Sequence, residues 1–107
     1  MSKKLQREKH FLELLLTTDR TQARALMETV TQSQVEALVE IFTNLMRIKV
    51  PQRTEELLKK RQRLIKKLVN KRTNFREKYT AIRSHMRQVY DTLLSAKSKL
   101  LELLRCL

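Results

Sequence analysis

The stretch TTDRTQARALMETVTQSQVEALVEIFTNLM, Thr17–Met46, decides how the rest of the chain is read. Two helix starts are written into it. In Asp19-x-x-Gln22 and again in Thr31-x-x-Gln34, a short side chain accepts from an orphan backbone N–H while the Gln three residues on reaches back. After the first start come Ala23, Leu26, Met27 and Val30. After the second come Val35, Leu38, Val39, Phe42, Leu45 and Met46, spaced as one stripe of helical period. A polar cap inside an apolar pattern is a corner. The expectation is therefore a helical hairpin over residues 19–48 that packs on itself. A single helix with Thr31 on its wet side is the alternative.

Composition carries the fold class further. The chain of 107 residues has no glycine and one proline. Tight hairpin turns favour glycine, and the dominant Leu, Lys, Arg, Glu and Gln are good helix formers. The fold expected is all-α: an N-terminal helical hairpin, a basic helix and a long C-terminal helix of coiled-coil type. At 41% hydrophobic the chain can form a core, though a small one.

The net charge of +13 is unevenly spread. Residues 1–50 hold eight Lys/Arg against six Asp/Glu, whereas residues 51–107 hold sixteen against five. A basic excess in one half points to a polyanion, nucleic acid first and an anionic membrane surface second. The single Cys106 excludes an intramolecular disulfide and is not placed for prenylation. The polar start MSKKLQREKH is not that of a signal peptide, and the apolar run Leu14–Leu16 is too short to span a bilayer. The expectation is an intracellular, reduced protein.

Outward from the central stretch, residues 3–16 read as a helix with Leu5, Phe11, Leu12, Leu15 and Leu16 on one side. Residues 1–50 thus comprise this helix and the hairpin. Val50-Pro51 is the clearest boundary, because proline disfavours helix before it and suits a helix start. A helix over 51–70 follows, with Glu55 and Glu56 near its N-terminus, favourable for the dipole. Within it KKRQRLIKKLVNKR, residues 59–72, has eight basic residues and no acid, while Leu64, Ile65, Leu68 and Val69 keep one side apolar. The run NKRTN, residues 70–74, is a weak point for helix, and Asn74 is a candidate cap.

From Phe75 the rhythm changes. Phe75, Tyr79, Ile82, Met86, Val89, Leu93, Ala96, Leu100, Leu103 and Leu107 step by alternating fours and threes. A 3.5 period sustained this long indicates a coiled-coil seam over 74–106. A straight helix of this length spans about 50 Å and must lie along another. The partner is either the N-terminal helices or a second copy of the chain. The second copy is preferred, since the hairpin has its own faces to fill. The seam then rests on Tyr79, Ile82, Met86, Val89, Leu93, Leu100 and Leu103. Residues 51–107 form one small domain in this reading.

Nothing in the chain spells catalysis: no Gly-rich phosphate loop, no Cys/His cluster, no nucleophile beside a base. His10 and His85 read as helix-surface residues rather than metal ligands. No enzymatic activity, metal or cofactor is expected. The basic run carries the chemistry. Lys59, Lys60, Arg61, Arg63, Lys66, Lys67, Lys71, Arg72, Arg76 and Lys78 are the candidate phosphate contacts, which release counterions and bind any sequence in a salt-sensitive way. KKRQR, residues 59–63, also suits a nuclear import receptor. Base reading by a helix–turn–helix needs side chains near the start of its second helix. Here Thr31, Gln32, Ser33, Gln34 and Glu36 include no Lys or Arg, so the hairpin reads as a packing element.

Over residues 11–80 the chain resembles a family of small basic proteins of Polinton/Maverick-type mobile elements and adintoviruses. The match runs through Leu14, Leu15, Leu16, Thr17 and Thr18, approximately through Gln22, Ala25 and Leu26, then through Thr31, Gln34, Ala37, Leu38, Glu40, Ile41, Asn44 and Leu45 to Pro51 and the Lys/Arg helix. Members often continue into a Gly-Gly-containing apolar tail, where this chain has no glycine and is expected to continue as a heptad helix. The resemblance implies a viral or mobile-element origin and a core or condensing role with the element's DNA, in a nucleus or a virion.

The function expected is sequence-independent binding and packaging of nucleic acid, DNA before RNA, by copies joined through the coil so that linked basic helices gain avidity. A helical adaptor recruiting a protein partner through the coil is the alternative. Membrane binding is disfavoured, because the basic helix has no Trp and no aromatic before Phe75.

Overall fold

The helix starts set the architecture. In the computed structural model, which describes residues 3–107, the Asp19 carboxylate accepts from the Gln22 N–H at 2.8 Å. At Thr31 the box is complete: its hydroxyl accepts from the Gln34 N–H at 3.2 Å, and the Gln34 side chain accepts from the Thr31 N–H at 2.9 Å. Asn74 caps a later helix by accepting from the Glu77 N–H at 2.8 Å. Asn70 closes the turn before it, accepting from the Arg72 N–H at 3.0 Å.

Between these signals the described residues form helices and no strand. The order is α1 Lys3–Arg7, α2 Lys9–Thr17, α3 Arg20–Glu28, α4 Gln32–Leu45, α5 Gln52–Lys60, α6 Gln62–Val69, α7 Phe75–Ser84, α8 Met86–Ser95 and α9 Lys97–Arg105. Pro51 stands just before α5, its φ of −55° suiting the entry. Several neighbours are one rod bent at a single residue: Glu8, Arg61, His85 and Ala96 have φ between −104° and −131° with ψ between 18° and 36°. That is the sparsely allowed region beside the helical basin.

The long heptad helix is therefore not seen. Residues 75–105 form three short helices bent at His85 and Ala96. The molecule measures 30 × 28 × 26 Å, too small for a straight rod of about 50 Å. Polar side chains bonding back to the backbone accompany both bends. His85 Nδ1 lies 3.0 Å from the Ala81 carbonyl oxygen. Thr92 donates to the Gln88 carbonyl at 2.7 Å, and Ser95 donates to the Thr92 carbonyl at 2.6 Å, just ahead of Ala96. Such back-bonding draws on helix carbonyls and bends the axis.

Bending lets the apolar stripe wrap the chain's own core. Ile82, Val89, Leu93 and Leu100 are buried there with Leu12, Leu15, Met27, Leu38 and Phe42. Tyr79, Met86 and Leu103 pack on it half-buried. These are the residues expected to join a second copy. The structure gives them an intramolecular partner instead. After Leu100 the stripe also slips by one position, so that Leu104 is buried and Leu103 is not.

The hairpin is likewise not self-packed. Its corner at Thr31 is real, but α3 packs chiefly on α2, α7 and α8, while α4 packs chiefly on α1, α6 and α7. Helix α9 returns to α2. Elements before and after Pro51 thus share one apolar cluster. The radius of gyration, 12.5 Å, is close to the ~13 Å expected of a compact chain of this length.

One polar network runs through this packing. Arg61 Nη1 donates to the Gln88 carbonyl at 2.8 Å and to the Thr92 hydroxyl at 3.1 Å. The hydroxyls of Ser95 and Thr54 lie 2.8 Å apart. Because Ser95 spends its proton on Thr92, Thr54 is the donor of that pair. Thr54 and Thr92 are fully buried, so this network ties α5 and the α5–α6 bend to α8.

Candidate nucleic-acid interface

The amphipathic pattern of α5 and α6 decides where the cations go. Leu57, Ile65 and Leu68 face inward and are buried. With that face committed, Lys59, Lys60, Arg63, Lys66 and Lys67 are left exposed. Lys71, Arg72 and Arg76 are exposed beyond α6, and Lys78 is half-buried. Lys59 is paired with Glu55 at 3.3 Å, between side chains 77% and 58% exposed. A pair so open to solvent is worth about 0–1 kcal/mol and does not withhold the lysine from a phosphate.

Arg61 stands apart from this set. It is half-buried, and its guanidinium is turned inward to the backbone of α8. It lines the same groove as Lys59, Lys60, Arg63 and Lys67, but its Nη1 is engaged by Gln88 and Thr92, so it also serves as a structural tie at the α5–α6 bend.

Six of the remaining cations fall on two surfaces, while Lys66, Arg72 and Arg76 are exposed outside both. Lys59, Lys60, Arg63 and Lys67 line one wall of an open groove of about 610 Å³, whose other wall is Thr80, Ser84, His85 and Gln88 of α7 and α8. No Asp or Glu lines it. Lys71 and Lys78 fall on the far side of α6. They line a second groove with Lys3, Lys4 and Arg47, where Glu36 and Glu40 of α4 offset part of the charge.

Sequence reading missed a third basic groove. Arg20 and Arg24 of α3 face Arg83 and Arg87 of α7 and α8 across an open cleft of about 660 Å³. Arg20 donates to Asp91 at 2.8 Å and lies 5.5 Å from the Tyr90 ring. Arg83 donates to the Tyr79 hydroxyl at 2.8 Å, with its guanidinium 5.6 Å from that ring. Arg24 is paired with Glu28 at 3.3 Å, and Arg87 reaches Asp91 at 3.9 Å. Four guanidinium groups thus face two carboxylates. The signal was present locally: each pair is spaced i, i+4 and so shares a helix face. What joins the pairs is tertiary packing of α3 on α7 and α8.

The start of α4 is not placed to read bases. Ser33 donates to Glu8 at 2.7 Å, which pins that end of α4 to the α1–α2 bend. Among the described residues no group of three or more His, Cys, Asp or Glu comes together to hold a metal ion. No helix among them is long and apolar enough to cross a membrane. Cys106 is an exposed free thiol. No protein-family model, curated protein or solved structure matches the chain.

Proposed function

We propose that this protein binds nucleic acid without sequence preference, by neutralising phosphates, and that it condenses or packages DNA of a virus or mobile element. The observation that carries the reading is the groove in which Lys59, Lys60, Arg63 and Lys67 face solvent with no carboxylate among the lining residues. A polyanion gains there by releasing counterions, a contribution that carries no base preference. Condensation needs contact on more than one face. The lysines on the far side of α6 supply a second face. The resemblance to mobile-element and adintovirus proteins is consistent with this role, and the KKRQR run suits delivery to a nucleus.

Avidity through a C-terminal coil is not part of the proposal, because the heptad residues are committed to the core. The adaptor reading loses its recruiting surface for the same reason. The test is a gel shift with random-sequence duplex. Reversing Lys60, Arg63 and Lys67 to Glu is expected to abolish the shift at physiological salt while the far-UV spectrum stays helical. A shift that survives this change places the contacts elsewhere and defeats the reading.

A further inference from the structure

The lysine groove and the arginine cleft share a wall. Ser84 and Gln88 line both of them. Those residues sit at the α7–α8 junction, so this bent helix is the partition. One flank looks onto Lys59, Lys60, Arg63 and Lys67. The other looks onto Arg20 and Arg24, with Arg83 and Arg87 on its own surface. The exposed edge of the partition bears Thr80, Arg83, Ser84 and Arg87, a stripe of helical spacing without an acid. Glu28 and Asp91 touch the second flank only through pairs whose guanidinium side chains are 63% to 86% exposed.

A helix with its side chains is about 10–12 Å across. The major groove of B-form DNA is about 12 Å wide and admits a helix between its two phosphate rows. Two rows of cations set apart by one helix therefore match the two strands of a duplex, whereas a single strand fills one row. A-form RNA has a major groove too narrow for such a partition.

We propose that the ligand is a B-form duplex held by both strands, one phosphate row on the Lys59–Lys67 groove and the other on the Arg20, Arg24, Arg83 and Arg87 groove, with the α7–α8 partition entering the major groove. This rests on the nucleic-acid reading above and narrows it to one form of nucleic acid.

The test uses Arg24→Gln/Arg87→Gln, since both side chains are largely exposed, at 72% and 86%. Affinity is measured across a salt series for a DNA duplex, one of its strands alone and the RNA duplex of the same sequence. For the DNA duplex, the double variant is expected to lower the slope of log K against log salt by about 2, one for each phosphate left without its arginine. The single-strand slope is expected to stay as in the wild type, and the RNA duplex to bind more weakly than the DNA duplex. An unchanged DNA-duplex slope, or an equal fall for the single strand, overturns the two-row arrangement while leaving phosphate binding intact. Failure of the wild type to bind any of the three removes the underlying reading as well.

Discussion

At the residue scale, Arg61 separates charge that binds from charge that builds. It lies inside a run of cations, and composition alone gives it the same role as Arg63. The difference is one of helix face: Arg63 projects to solvent, while Arg61 marks the bend and reaches Gln88 and Thr92. Removing a guanidinium from a half-buried carbonyl and hydroxyl costs about 1–3 kcal/mol. Arg61→Gln is therefore expected to lower the stability read from urea unfolding by that amount, while the folded fraction keeps the wild-type salt slope for duplex. Lys67→Gln, at an exposed lysine of the groove, is expected to do the reverse, reducing the slope by about 1 and leaving the urea midpoint nearly unchanged. If the two variants behave alike, the division between tie and contact is wrong. The caps were the residues most readable in advance. Asp19, Thr31 and Asn74 act through neighbours within three positions, so nothing distant was needed to foresee them. Arg61 needed α8, which lies beyond the reach of local pattern.

At the element scale, the lesson lies in the heptad. The apolar positions of 75–107 form one stripe, of which Ile82, Val89, Leu93, Ala96 and Leu100 are buried while Phe75 is exposed. The inference from period to coiled coil failed. Periods of 3.5 and 3.6 diverge by only about 20° per heptad. Each rod here runs no more than 10 residues before it bends, so the drift never accumulates enough to tell the two apart. The bends themselves have polar causes in His85, Thr92 and Ser95, which a count of apolar spacings passes over. The hairpin failed for a related reason: the corner was local, but the choice of partner for α3 and α4 was not. A seam used within one chain has a thermodynamic signature. Leu93→Ala, at a side chain 2% exposed, is expected to destabilise by about 2–5 kcal/mol. Its Tm, like that of the wild type, is expected to be independent of protein concentration. A Tm that rises with concentration marks folding coupled to association and would return the seam to a second copy.

At the scale of the whole molecule, packing redistributes the charge seen in the sequence. The halves before and after Pro51 differ sharply in net charge, yet the fold interleaves them. Arg20 and Arg24, from the nearly balanced half, come to stand beside Arg83 and Arg87. A basic stripe on one helix becomes grooves on either side of a partition. The +13 chain holds itself together against self-repulsion through a core that draws on both halves, and it leaves most of its cations facing water. The central claim is that these cations are poised for phosphate. Fluorescence anisotropy with a labelled random-sequence duplex, between about 50 and 200 mM salt, tests it most directly. With about 6–10 phosphate contacts the affinity is expected to fall by about 10³–10⁵ over that range. An affinity indifferent to salt, or no binding at the lowest salt, contradicts the account.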